Sequence, residues 1–333
     1  MLRRLRRVRA VALAAVAAVV ITGCGEGDGS GRADATGAPA SDGGFPVTVT
    51  HAQGKATVPS KPQRVIALGF ADAQIAAALD APVVGVARNT AAPDGNWPGV
   101  SPAYPKDVIT LDSLNPNLEK IAALDPDLIL MTTAQPAFGT AYAKLSAIAP
   151  VVSYKKQLLH DSGDDLTRLI GAALGEKEKA EKLIDSSREA LTTFARKHPG
   201  LKGKRYAFGQ QYSGTVYAVV ARGGPTATFF GELGMALPKE LAALKVAAGG
   251  GAPIAPERLD LLDTADVAFF GVYGDDERAE FTKRPLVADL ALVKDRDLHF
   301  LDLNEAMMLL GPNPAVTEEL LDRLGPALAA AAS

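Results

Sequence analysis

The side chains able to do covalent or metal chemistry in this 333-residue chain are few and scattered. The four histidines, His51, His160, His198 and His299, never fall at the His-to-His spacing of a zinc site. There is no Gly-x-Ser-x-Gly elbow, because Gly209-Gln210-Gln211-Tyr212-Ser213-Gly214 has the wrong spacing. Gly200-Leu201-Lys202-Gly203-Lys204 is too short for a phosphate loop and lacks the following Ser or Thr. Gly249-Gly250-Gly251 reads as a loop rather than a dinucleotide site. Acid and base groups need not be sequence neighbours, so a secreted α/β hydrolase stays open as an alternative.

What the chain repeats is an acidic helix start. Asn117-Leu118-Glu119-Lys120-Ile121 leads through Leu124-Asp125-Pro126-Asp127 into Leu128-Ile129-Leu130. Ala255-Pro256-Glu257-Arg258-Leu259 leads through Leu262-Asp263 and Asp266 into Val267-Ala268-Phe269. A glutamate in a first helical turn offsets the positive end of the helix dipole by about 0.3–1 kcal/mol, and that alone explains either residue. Two matching placements in two halves of a chain point further, to a pair of negative knobs that meet basic sockets on a partner.

The one cysteine has a position with its own chemistry. Arg3, Arg4, Arg6, Arg7 and Arg9 form a charged leader that overlaps the start of an apolar run from Val8 to Ile21, and Ile21-Thr22-Gly23-Cys24 ends it. The run is too short to span a bilayer as a mature helix and suits a secretory signal. Small residues before a lone cysteine resemble a lipobox, so residues 1–23 read as a lipoprotein signal and Cys24 as the lipidated residue. A plain signal peptide with an incidental cysteine, or a short membrane anchor, is the alternative. Removing five arginines leaves 30 basic against 38 acidic residues, a net charge of −8, which argues against nucleic acid as a partner. Residues 24–44, rich in Gly, Ser, Asp and Ala, cannot bury a core and form a flexible linker.

The elements that must position these residues alternate between short β-branched runs and helical patterns, which predicts an α/β chain. Strands are expected at Val65 to Leu68, Val83 to Val86, Leu128 to Met131 and Val151-Val152, and again at Arg205 to Phe208, Thr215 to Val220, Val267 to Phe270 and His299 to Leu303. Helices are expected near Asp72, Asn117, Thr140, Pro225, Glu257 and Val316. Between the two sets lies the longest helical pattern, Lys177 to Arg196. There Ala180, Leu183, Ile184, Leu191 and Phe194 recur at three- and four-residue steps on one face. Such a rod, ended by His198-Pro199-Gly200, is long enough to brace two lobes. The expected division is a first α/β lobe over 45–160, connecting helices over 161–200 and a second α/β lobe over 201–333. One large domain with a long surface helix is the alternative.

Several blocks resemble the periplasmic-binding proteins for ferric siderophores, a family that also includes vitamin B12 and haem binders. They are Lys61 to Leu68, Asn117 to Leu130, Tyr142 to Val152, Gly171-Ala172-Ala173-Leu174-Gly175 and Ala255 to Phe269. The resemblance covers residues 45 to 327 and implies the class III fold of that family, two Rossmann-like lobes joined by a single long helix with the ligand between them. It implies an ABC-importer receptor, not an enzyme, that needs no cofactor and delivers a ferric siderophore to a permease and through it to the ATPase subunits. It also implies that Glu119 and Glu257 dock onto permease arginines. The expected protein is a monomer tethered by lipid to the outer face of the cell membrane.

Open α/β sheets bind ligands at the carboxyl ends of their strands, so the residues just after each strand are the candidates. Guanidinium groups can reach the outward oxygens of a wrapped iron chelate without touching the metal, and aromatic rings supply apolar walls. On these grounds Arg88, Trp97, Tyr212, Arg222 and Tyr273 are the expected ligand-binding residues.

Overall fold

Val65, Ile66 and Ala67 are buried on both faces, as a strand covered by helices on either side must be. In the computed structural model, which describes residues 44–333 except 213, 248 and 249, they form the centre of a parallel sheet. The signal segment, Cys24 and the linker up to residue 43 lie outside the described residues. The described chain opens with an antiparallel hairpin, β1 (Val47–His51) and β2 (Gly54–Val58). The sheet that follows is built from β3 (Val65–Ala67), β4 (Val83–Val86), β5 (Leu128–Leu130) and β6 (Val151–Val152), all parallel in the order β4-β3-β5-β6. One face packs Val65, Leu128, Leu130 and Val152 against Ile75, Leu79, Leu166 and Ile170. The other packs Ile66, Leu68, Ile129 and Val151 against Ile121, Phe138 and Leu145.

The second lobe carries a mixed sheet of β7 (Tyr206–Tyr212), β8 (Thr215–Val219), β9 (Gly251–Ile254), β10 (Val267–Gly271) and β11 (Leu298–Leu301), in the order β11-β10-β7-β8-β9. β7, β10 and β11 are parallel, and β7, β8 and β9 form an antiparallel edge. Its core is aromatic: Tyr206 stacks on Phe230 at 3.9 Å between ring centroids, and Phe230 on Phe269 at 5.7 Å.

The helix Lys177–Lys197 joins the lobes, and its 21 residues give a rod of about 30 Å. Its apolar stripe is divided between two cores. Ala180 and Leu183 pack into the first lobe, and Leu191 and Phe194 into the second. Midway, the buried Ser187 hydroxyl shares a 2.7 Å hydrogen bond with Thr317 of the C-terminal helix Thr317–Ala331. A further tie runs from Asn313, whose Nδ2 donates to Gln74 Oε1 of the first lobe at 2.8 Å.

Three expectations change. β7 runs on past Phe208 to Tyr212, because Gly209 continues the strand rather than turning it. A Cβ there would stand 2.5 Å from the Phe270 ring on β10, so glycine makes room for that ring. The last strand stops at Leu301, because Asp302 accepts from Glu305 N and Glu305 accepts from Asp302 N, a reciprocal cap that starts the helix Leu303–Leu310. The second acidic helix start is a 3₁₀ segment, Pro256–Thr264, in which Arg258 leaves helical geometry.

Candidate functional site

In the first sheet the chain order reverses between β3 and β5, the point where a doubly wound sheet opens a crevice at its carboxyl edge. That crevice is filled by the protein's own carboxylate. Asp72, fully buried in the first turn of the helix Phe70–Ala78, accepts from Gly69 N at 2.8 Å, Thr132 N at 3.0 Å and the Thr132 hydroxyl. Gly69 and Thr132 each stand two residues beyond the ends of β3 and β5, so Asp72 ties the two strand ends together. Gly69 has to be glycine, since a Cβ would lie 2.3 Å from Thr133 Oγ1 and 2.5 Å from Asp72 Oδ2. Burial pushes the Asp72 carboxyl up from 3.8 to about 6, with the hydrogen bonds from Thr132, Thr133 and Gly69 opposing that rise. The sequence identified Asp72 only as a helix cap; its hold on β5 has no local signal.

The ligand candidates fall into groups. Arg88, exposed, and Trp97, half-buried, share the mouth of β4. The Trp97 indole N–H donates to Ala87 O at 2.7 Å, and its ring lies 6.1 Å from Phe70, closing the space between the ends of β3 and β4. In the second sheet the order reverses between β7 and β10, and there the Tyr273 hydroxyl donates to Gln210 Oε1 at 2.9 Å. Burial raises the Tyr273 phenol above its ordinary value and the Asp302 charge adds to this, so the group stays a neutral donor. Gly271 lets the ring fold back, because a Cβ there would meet the hydroxyl at 2.5 Å. On the next residue of β7, Gln211 Oε1 is buried without a hydrogen-bond partner. Tyr273→Phe, which frees Gln210, is expected to weaken binding of the protein's ligand about 3- to 10-fold with little change in melting temperature. Parallel calorimetric titration and thermal denaturation check this, and a lower melting temperature with unchanged affinity would make the bond a structural one.

Arg222 is exposed and donates to Ala242 O at 3.3 Å. Its turn lies against the first lobe, since a Cβ on Gly224 would stand 2.8 Å from Leu159 O. Tyr212 projects from the β7–β8 hairpin end, 73% exposed. The structure therefore brings Tyr273 to Gln210 and Trp97 to the backbone of Ala87, the residue before Arg88, while Tyr212 sits at the hairpin tip. None of the five candidates lines the cavity of about 360 Å³ at the ends of β5 and β6, where Gln53, Met131, Gln135, Tyr154 and Gln157 face inward. Gln53 reaches it from the β1–β2 turn, which Ala52 N holds by donating to Tyr154 O at 2.8 Å. Hairpin and sheet are about a hundred residues apart in sequence, so no motif announces the cavity. Among the described residues no group of three or more His, Cys, Asp or Glu side chains could hold a metal ion.

Glu119 and Glu257 are both exposed, and neither makes a hydrogen bond or ion pair among the described residues. Their segments are held from behind. Asn117 Oδ1 accepts from Lys120 N at 2.9 Å at the start of Leu118–Ala123, and Arg64 Nη2 donates to Leu124 O at 2.6 Å at its end. Asp127 then accepts from Arg64 N at 2.9 Å, and Asp266 accepts from Arg205 N at 2.6 Å in the second lobe. The sequence echo is thus an echo in bonding: in each lobe an aspartate after the acidic turn fixes the start of the lobe's first sheet strand.

A family profile described as periplasmic binding protein matches residues 65–303. A curated relative, the Fe(3+) dicitrate-binding periplasmic protein FecB of Escherichia coli, is 29% identical over half of this chain and 54% of its own length. The chain thus spans about half the length of that curated relative. A periplasmic solute binding protein from Mycobacterium smegmatis is 29% identical with a TM-score of 0.72, covering 86% of this chain and 99% of that one. PiaA of Streptococcus pneumoniae in complex with ferrichrome shares the fold at a TM-score of 0.70 and 23% identity, over 86% of this chain and 98% of that one. The architecture is the class III fold, two α/β lobes on a single long helix.

Proposed function

This chain belongs to the periplasmic binding protein family, and from that premise we propose that it is the substrate-binding lipoprotein of an ABC importer, capturing an iron–siderophore complex between its lobes. The observation that carries the reading is the division of the connecting helix between two cores, which braces two α/β lobes on one stiff rod, the frame that a ligand held between lobes requires. FecB is a ferric dicitrate binder and the PiaA structure contains ferrichrome, and both support an iron chelate as the cargo. Arg88, Trp97, Tyr212, Arg222 and Tyr273 are the proposed contacts. The neutral Tyr273–Gln210 pair supplies a fixed hydrogen bond, and the arginines supply charge-assisted ones to chelate oxygens.

The chain's own chemistry is affinity and docking. Glu119 and Glu257, one on each lobe and both unpaired, are the proposed contacts with permease arginines, and ATP hydrolysis belongs to the transporter's cytoplasmic subunits. Cys24 carries the lipid that keeps the receptor at the outer face of the membrane, and the receptor works as a monomer. The test is uptake of radiolabelled ferric chelates by cells lacking this protein. Restoration by the full chain, with reduced uptake and release into the medium for Cys24→Ser, is the expected result. Unchanged uptake in the deleted strain for every ferric chelate would overturn the reading.

A further inference from the structure

Among the described residues four large apolar side chains stand exposed: Leu114, Tyr212, Val246 and Leu286. Two of the four accompany the two glutamates. Leu114, 57% exposed, lies five residues before Glu119, in a turn that Asp112 fixes by accepting from Leu114 N at 2.7 Å and Asn115 N at 3.2 Å. Asp112, Asn115 and Glu119 line one open recess of that turn. Leu286, 44% exposed, lies on the short helix Pro285–Ala288, which packs on the Pro256–Thr264 segment that bears Glu257. Its neighbour Val287 points into the core, so Leu286 is held outward by the helix itself.

Charge is arranged to the same end in both lobes. Each glutamate is followed by a cation that would quench it, and each cation is turned elsewhere. Lys120 donates its ammonium to Thr110 O, and Arg258 lies 3.5 Å from Asp260. Each lobe therefore presents an unpaired carboxylate with a leucine on the same or the adjoining element. Exposed leucines scattered singly need no explanation, but one beside each of the two unpaired acids, in the turn that leads into Glu119 and on the helix packed against the Glu257 segment, does.

We propose that each docking knob has two parts, a carboxylate and a leucine, Glu119 with Leu114 and Glu257 with Leu286, and that the membrane permease receives each with a basic group beside an apolar socket. This rests on the docking reading above and adds the apolar half to it. The two halves divide the work: the acids set approach rate and salt dependence, and the leucines set how long the complex lasts.

The experiment measures binding of the full chain to its permease–ATPase complex in lipid nanodiscs, over a range of salt concentrations. Leu114→Ser and Leu286→Ser are each expected to weaken binding about 5- to 10-fold through faster dissociation, with an unchanged salt slope and unchanged ferric-chelate affinity. Glu119→Gln and Glu257→Gln are expected to slow association and flatten the salt slope. Wild-type binding by the leucine variants, with loss in the glutamine variants, would overturn the two-part knob and leave docking by the acids standing. Wild-type binding by all four would remove both. Both leucines are exposed, so their replacement does not threaten the fold, and circular dichroism of each variant verifies that.

Discussion

Asp72→Ala is expected to lower the unfolding free energy by about 3–5 kcal/mol, because it strands the Gly69 and Thr132 amides and the Thr132 hydroxyl in a site closed to solvent. Few single changes in this chain should cost as much, since most remove packing from one element and this one unties the ends of two strands. Denaturant unfolding reads the loss, and a cost below about 1 kcal/mol would show that the strand ends are held by packing alone. The same residue gives a pH signature. Its carboxyl is at about 6 in the folded chain against 3.8 as the ordinary value, raised by burial. The folded chain therefore keeps the proton between about pH 4 and 6 while the unfolded chain releases it. The proton-linked part of Asp72's contribution to stability is full below about pH 4 and is lost as pH rises through about 6, on top of the pH-independent cost of stranding its donors. The Thr132 hydroxyl, a donor to the carboxylate, can turn to accept from the protonated form. Asp72→Asn has no proton to lose, so wild-type stability should fall relative to that variant across this window. A difference that stays flat with pH would contradict the raised value.

Glu119→Lys combined with Glu257→Lys is expected to abolish chelate import while leaving chelate affinity within about 2-fold of wild type. Each reversal replaces an attraction to a basic socket by a repulsion, and like charges facing each other at an interface cost several kcal/mol, or more than 100-fold in binding for the pair. The two residues sit on different lobes and share no contact within the chain, so their effects should add. Transport and calorimetry on one preparation check both halves. Import at the wild-type rate would remove the docking assignment, and lost chelate affinity would move the glutamates into the ligand site.

The sequence and the structure agree where the signal is local. Val83–Val86 and Val151–Val152 are strands at the bounds their β-branched runs indicate, and the connecting helix ends one residue beyond the expected Arg196. The fold class was legible because buried parallel strands must read as short apolar runs between helical repeats. What was not legible depends on distant partners. Gly209 looks like a turn residue until the Phe270 ring on the neighbouring strand is seen to need its missing Cβ. The β1–β2 hairpin lies outside the expected strands although Val47-Thr48-Val49-Thr50 alternates as a half-buried strand does, because its other strand opens on Gly54-Lys55 and is apolar only toward its end. Asp72 reads as an ordinary helix cap, and only the sheet order turns it into the tie between β3 and β5. Exposure is likewise invisible in a string of letters. Leu114 and Leu286 are indistinguishable by type from the buried Leu111 and Leu290.

Arginine candidates show the same limit in the site itself. Chemistry chooses Arg88 and Arg222 as free donors for a chelate, and the structure gives Arg222 a carbonyl partner in Ala242 while Arg88 stands exposed. Residue type says what a side chain can bind; the turn it stands on decides what else competes for it. A weak 3.3 Å bond to a carbonyl is readily exchanged for a charge-assisted one to a chelate oxygen, so Arg222 keeps its proposed role.

The measurement that bears most directly on the central claim is calorimetric titration of the fragment starting at residue 25 with a ferric hydroxamate, a ferric catecholate, haem and vitamin B12, with Trp97 fluorescence followed in parallel. Saturable one-to-one binding of one ferric siderophore class at submicromolar concentration is the expected result. A change in emission is expected with it, because Trp97 closes the space between β3 and β4. Binding of haem or vitamin B12 with no response to either ferric siderophore, or steady turnover of any of the four, would contradict the claim.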